Sequence, residues 1–262
     1  MIGFYISVLV LVGILLAYTH KRGRVFYPLR RLFYPTLIVF LGCFLRCSTV
    51  FPNSFSGLYS VGYMGSAYSF SGPLYLSQRG YSDIRVDAHY ETKPFMDYPY
   101  WGIRFEYWRL TSAWEFELIH HKVYLQSPPD TISYFNMSDG YNFLLLNRSY
   151  ASLQDYVWRF GMGVVMAHPE SRIRGQLFSE SGGIQNIGFY LAGPVVQVGL
   201  ERRYLWTKSR FLSFESKLTL SQFNVPISDG NAQGVNLALH FTLGVGHQYP
   251  SQSYSLQNHV GF

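Results

Sequence analysis

Residues 209–224 read SRFLSFESKLTLSQFN, and residues 234–248 read GVNLALHFTLGVGHQ. Both stretches alternate apolar and polar residues at a period of two, the pattern of a β-strand with two unlike faces. In the first, Leu212, Phe214, Leu218 and Leu220 share one side and oppose Ser213, Glu215, Lys217 and Thr219. In the second, Val235, Leu237, Leu239, Phe241 and Leu243 oppose Asn236, Ala238, His240 and Thr242.

Working outward, the same parity recurs. Trp101, Ile103, Phe105 and Tyr107 oppose Arg104 and Glu106, and Trp114, Phe116 and Leu118 oppose Glu115 and Glu117. Eight stretches of this kind are expected, at 57–69, 98–109, 113–126, 138–150, 155–168, 186–203, 209–224 and 234–248. Their connections run long (70–97), short (110–112), medium (127–137), short (151–154), long (169–185), short (204–208) and medium (225–233). Alternating long and short connections are the pattern of outer-membrane barrels, with extracellular loops and tight periplasmic turns. The fold expected is therefore all-β: an eight-stranded antiparallel up-and-down transmembrane β-barrel. Small barrels fill their interior with side chains. Arg104, Glu106, Glu115, Glu117, Arg159, Glu201, Glu215, Lys217 and His240 should form an internal structural charge network that leaves no open pore, with His121 also turned inward. Gly193-Pro194 should break the sixth strand, because proline donates no ladder hydrogen bond.

Composition supports this class. Of 262 residues, 48% are hydrophobic, 18% aromatic and only 14% charged, with Gly 24, Tyr 22 and Phe 21. Soluble domains average about 25% charge. Disorder requires low hydrophobicity with high net charge, and a mean hydropathy of +0.04 is too low for a bundle of apolar helices. The net charge of +6 comes mostly from Lys21, Arg22, Arg24, Arg30 and Arg31, so it does not point to nucleic acid.

That basic block separates two apolar runs, residues 2–18 and 32–45, and a small polar stretch follows at 48–56. Basic flank, short apolar core and polar stretch are the order of a secretory signal. Residues 1–50 are read as a signal peptide or hydrophobic extension, 57–248 as the barrel and 249–262 as a periplasmic tail. The final Phe262 suits an export signal read by the barrel-assembly machinery. Cys43 and Cys47 both lie in the export segment, so the barrel itself has no thiol chemistry. A lipoprotein site at Gly42-Cys43 is a weaker reading, because Phe40 and Leu41 fit it poorly.

Candidate chemistry gathers at the extracellular rim, where strands three, four and five are neighbours. These positions hold His120-His121-Lys122-Val123-Tyr124, Ser138-Asp139-Gly140-Tyr141-Asn142, and His168-Pro169-Glu170 with Arg172 and Arg174. Parity turns His120, Lys122, Asn142 and His168 outward, toward the outer leaflet. Polar groups on a lipid-facing wall are costly. Single rim histidines and lysines also occur simply to meet lipopolysaccharide phosphates. Two histidines with carboxylates nevertheless make a reasonable divalent-metal set, and Lys122, Arg172 and Arg174 suit anionic phosphates.

The segments Lys93-Pro94-Phe95, Pro99-Tyr100-Trp101-Gly102-Ile103-Arg104, Phe116-Glu117-Leu118-Ile119-His120-His121-Lys122-Val123-Tyr124, Ser138-Asp139-Gly140-Tyr141-Asn142 with Asn147, Gly161-Met162-Gly163 with His168-Pro169-Glu170, and Leu191-Ala192-Gly193-Pro194-Val195-Val196-Gln197 resemble the lipid A oxidase family. The resemblance runs in order over residues 58–248. Departures are His121, where the family has a small residue, Pro169, where a branched apolar residue is expected, and the extended N-terminus. The resemblance implies an outer-membrane enzyme that uses molecular oxygen and a divalent metal ion. It converts the proximal glucosamine of lipid A to 2-aminogluconate, with hydrogen peroxide as co-product. It carries over His120, Lys122, Tyr124, Asp139, Asn142, His168 and Glu170. His120 and His168 are the expected metal ligands, with Asp139 or Glu170 completing the set. Asp139, Glu170, Asn142 and Tyr124 are the expected catalytic group, and Lys122, Arg172 and Arg174 are expected to hold the lipopolysaccharide phosphates. Two other readings stand beside it. One is a deacylase-like hydrolase using Ser138 near His120; the other is a non-enzymatic structural or adhesion barrel whose rim charges bridge lipopolysaccharide.

Overall fold

A computed structural model of the protein describes residues 55–95, 99–152, 156–178 and 182–250. The segments read above as export signal and C-terminal tail lie outside the described residues, apart from the last residues before 251. In chain order the strands are β1 (Phe55–Ser69), β2 (Gly72–Gln78), β3 (Ile84–Glu91), β4 (Trp101–Leu110), β5 (Ser112–Gln126), β6 (Ile132–Ala151), β7 (Tyr156–Ala167), β8 (Glu170–Ile173), β9 (Gln176–Phe178), β10 (Tyr190–Leu205), β11 (Arg210–Ile227) and β12 (Gly230–Gln248).

Eight of them close a ring in the order β1, β4, β5, β6, β7, β10, β11, β12 and back to β1, every pair antiparallel. Following register partners once around from Tyr59 returns to Ser69, a stagger of ten residues along one strand. Stagger and strand tilt are linked in any closed barrel. Closure leaves the ring no unpaired edge, the condition under which a sheet can cross hydrocarbon.

The eight expected stretches fall on these eight strands, but the connections differ from the expected alternation. The fourth ring strand starts at Ile132 rather than 138, and the loop expected at 225–233 is only the two-residue turn at 228–229. The long connections carry strands of their own. β2 pairs with β12 and β3 with β5, while β8 and β9 form a hairpin on β6. The reason is hydrogen-bond continuity: β5, β6, β11 and β12 rise beyond the ends of β1 and β4, and the hairpins pair their otherwise bare backbone. The Gly193-Pro194 break is present as a register shift between Leu191 and Gly193.

The two faces separate as parity requires. Phe105, Trp114, Phe116, Leu146, Phe160, Met162 and Leu243 are exposed on the outer wall, whereas the charged residues of the same strands are buried inside. Arg104 reaches Glu106 (2.8 Å), Glu117 (3.2 Å) and Glu215 (2.9 Å). Arg159 contacts Glu115, Glu215 and Glu201, the last at 2.9 Å. Lys217 binds Glu117 at 2.7 Å. Arg203, which sequence parity did not single out, joins through Glu106 and Glu201, both at 2.7 Å. His240 sits outside the ionic set: its ring nitrogens meet the hydroxyls of Tyr100 (2.9 Å) and Thr219 (2.8 Å). His121 is buried among the rings of Tyr100, Tyr141, Phe143 and His240. The interior is therefore a filled core, charged in one layer and aromatic in the next.

Candidate functional site on the outer wall

β6 changes partners along its length. Residues 132–136 pair with β8 and residues 141–151 with β7, so Ser138, Asp139 and Gly140 fall between the two ladders. On the β5 side the register jumps from His121↔Tyr141 to Val123↔Met137, so three residues of β6 face Lys122 alone. This β-bulge re-aims side chains locally. Gly140 takes φ 149°, a conformation that favours glycine. A β-carbon there would also lie 2.4 Å from the Asn142 amide nitrogen. The Gly140 carbonyl accepts the His168 N–H at 2.9 Å, which fixes the chain just past the end of β7.

The bulge brings Asp139 to His168 and Glu170. His168 Nδ1 lies 3.7 Å from Asp139 Oδ2 and 4.0 Å from Glu170 Oε1. One donor atom from each residue falls within 4.8 Å of the others. The Ser138 hydroxyl donates to Glu170 Oε1 at 2.8 Å. The imidazole is buried against Phe189, with ring centroids 5.0 Å apart, whereas the Asp139 and Glu170 side chains keep 32% and 27% exposure. His168 Nδ1 is buried with no hydrogen-bond partner.

A second group lies beside it. Trp101, His120, Asn142, Met166 and Leu191 are register partners in turn across β4, β5, β6, β7 and β10, forming one outward row. His120 stacks on Trp101 (centroids 5.7 Å, planes 20° apart), and its Nδ1 is 2.7 Å from Asn142 Oδ1. A carbonyl oxygen accepts, so Nδ1 carries the proton and Nε2 presents its lone pair. Nε2 is buried without a partner. The next outward rows down the wall are Ile103, Leu118, Leu144, Val164 and then Phe105, Phe116, Leu146, Met162. The row that carries His120 and Asn142 therefore sits at one edge of the apolar belt.

The remaining expected site residues are dispersed. Lys122, expected as an open phosphate clamp, is fully buried, with its ammonium 5.6 Å from the Tyr124 ring. Tyr124 is also buried, and Lys93 from the preceding connection sits 4.4 Å over its ring. Lys93 lies inside a resembling segment but was not singled out as a site residue; a lone lysine in a loop gives no periodic signal. Arg172 is exposed on β8 opposite Tyr134. Arg174 faces away from the cluster: its guanidinium binds Gln78 Oε1 (2.9 Å) and the Ser82 carbonyl (2.7 Å) and covers Tyr81. It ties the β8–β9 turn to the β2–β3 turn. His120, expected as a metal ligand, stands apart from the three clustered donors. Ser138 is bonded to Glu170 and not to a histidine, so the serine that the hydrolase reading names is not paired with His120.

No family model matches the chain. No curated protein matches it in sequence. Among solved structures, it is similar to outer membrane protein AlkL (13% identity, TM-score 0.43, covering 79% of this chain and 97% of AlkL). It is also similar to Neisserial surface protein A (11%, TM-score 0.37, 74% and 98%) and to OprG from Pseudomonas aeruginosa (12%, TM-score 0.36, 76% and 99%). The closed ring, the apolar exterior and the filled polar interior define the class: a small transmembrane β-barrel of the bacterial outer membrane.

Proposed function

We propose that the outer-wall cluster is the active site of an oxygen-dependent oxidation of lipid A, converting the proximal glucosamine to 2-aminogluconate. The observation that carries this reading is the β6 bulge. It gathers Asp139, His168 and Glu170 at the level of the outer-leaflet headgroups, above the apolar belt of the wall. The resemblance to lipid A oxidases over the same segments supports it.

One imidazole and two carboxylates are a fitting donor set for a divalent ion, and the unpartnered, buried His168 Nδ1 is the atom such an ion would satisfy. Asp139, His168 and Glu170 would hold it. When bound, the ion supplies Lewis-acid stabilisation of negative charge on oxygen. His120, with Nδ1 held on Asn142, accepts the proton of the C1 hydroxyl at Nε2. Trp101 fixes the imidazole plane, and Lys93 and Arg172 supply positive charge for the phosphates. In the balance, C1 loses two electrons and two protons, dioxygen becomes hydrogen peroxide, and water adds to give the acid.

Mass spectrometry of lipid A from outer membranes with and without the protein tests this, in air and after chelation. The expected result is a gain of one oxygen that requires both air and metal. Loss of an acyl chain would make the protein a hydrolase. Unchanged lipid A beside a folded barrel would leave a structural or adhesive barrel.

A further inference from the structure

At the opposite rim the outer wall carries a second polar row, independent of the lipid A reading. Ser60, His247 and Arg210 are register partners across β1, β12 and β11. With Trp206, Val245, Gly246 and Tyr249 they line a concavity of about 350 Å³. The backbone there is fixed: Tyr249 N–H bonds the Leu58 carbonyl (2.9 Å), Gln248 N–H bonds that of Ser209 (2.8 Å) and Trp206 N–H bonds that of Arg210 (2.9 Å). Connections of one to four residues, at 111, 152–155 and 206–209, mark this end as periplasmic.

The lining contains a guanidinium, an imidazole edge-on to Tyr249 (centroids 4.9 Å) and a hydroxyl pair, Ser60 with Tyr249 at 3.2 Å. It contains no carboxylate; the glutamates of β4, β5, β10 and β11 that form the ionic network all face the lumen. Directly above it, β1 presents its shortest outward residues. Ser60 lies between Phe105 and His247, and Gly62 between Ile103 and Val245. A β-carbon built at Gly62 meets no atom within 4 Å. A shallow apolar trough thus rises from a cationic cup, at the level where a phospholipid of the periplasmic leaflet places its phosphate above its acyl chain. Arginine is suited to bidentate phosphate binding, and interfacial Trp and Tyr belong at that depth.

We infer that this concavity is a phospholipid site of the periplasmic leaflet, with the phosphate on Arg210 and His247 and one acyl chain along the trough over Gly62. Native mass spectrometry of the full chain, loaded with palmitoyl-oleoyl phosphatidylglycerol, tests it. One retained lipid is expected. Arg210→Gln and Gly62→Leu should each weaken retention about tenfold, the effect of losing one charge-assisted contact or filling the trough. Arg109→Gln, an exposed arginine at the same rim on β4, should leave it unchanged. Heat-dependent gel mobility confirms that each variant is folded. Retention unaffected by the first two variants, equal loss in Arg109→Gln, equal retention of the phosphate-free diacylglycerol, or a second copy of the chain in place of lipid would each overturn the assignment.

Discussion

The lumen and the outer-wall cluster both hold polar groups away from water, where an unmet hydrogen bond is costly. They meet that cost differently. Inside, Glu106, Glu115, Glu117, Glu201 and Glu215 are each bound by arginine or lysine. Glu117 alone also takes Tyr63 (2.7 Å), Asn147 (2.9 Å) and Gln197 (2.6 Å). Arg203 leaves N–H groups unbonded but rests on Phe211, with its guanidinium 4.7 Å from the ring centroid. On the wall, His168 Nδ1 and His120 Nε2 are buried with no partner, beside carboxylates that remain part-exposed. Inside, every carboxylate is matched by a cation, which holds the fold together. On the wall the unmatched imidazole nitrogens lie beside carboxylates open on one side, the feature on which the proposed ligand site rests. His121 marks the boundary of the rule. Both its nitrogens lack partners, yet rings enclose it and no charged donor joins it, so it reads as packing.

Substitutions at three places break or sharpen this contrast. The largest effect is expected at the cluster: His168→Ala, Asp139→Asn or Glu170→Gln should each cut lipid A oxidation by at least about a hundredfold, with bound metal lost and heat-dependent gel mobility intact. A variant that keeps both its rate and its metal would remove the cluster from the mechanism. Next comes the lumen. Arg159→Met leaves Glu115, Glu201 and Glu215 short of a cation, and should destabilise the barrel by about 3–5 kcal/mol in urea unfolding from lipid vesicles. The residual folded protein should still oxidise lipid A, since the network lies on the other face of the wall. The smallest effect is expected at Asn142→Ala, which frees the His120 ring to turn. Oxidation should fall about tenfold to a hundredfold while metal content stays at the wild-type level. Metal loss in this variant would place His120 among the ligands instead.

How much of this was legible in the chain follows from what period two encodes. Parity alone assigns Arg104, Glu115, Glu215 and Lys217 to the inside and Trp101, Phe116 and Leu220 to the outside, because successive side chains of a strand leave opposite faces. It also places His120 and Asn142 on one wall. It could not show that they are register partners, because register depends on the length of the connection, and the connection at 127–137 is mostly strand. Arg203 obeys the same rule, since it lies two residues beyond the inward-facing Glu201 on one strand; only its partner Glu106, from a distant strand, needed the barrel. The hairpins β2–β3 and β8–β9 escaped because their partners are the raised ends of distant strands, not each other alone.

The division for this protein is therefore between direction and convergence. The alternation of residues determined by itself that the chain forms eight wall strands, which side chains face lipid and which fill the lumen, since the pleat makes that a local property. Only the tertiary structure decided that Asp139 meets His168 and Glu170 while His120 stands apart on Asn142. Those distances depend on one bulge at Ser138, Asp139 and Gly140, and a bulge arises only when β6 must satisfy β5, β7 and β8 at once.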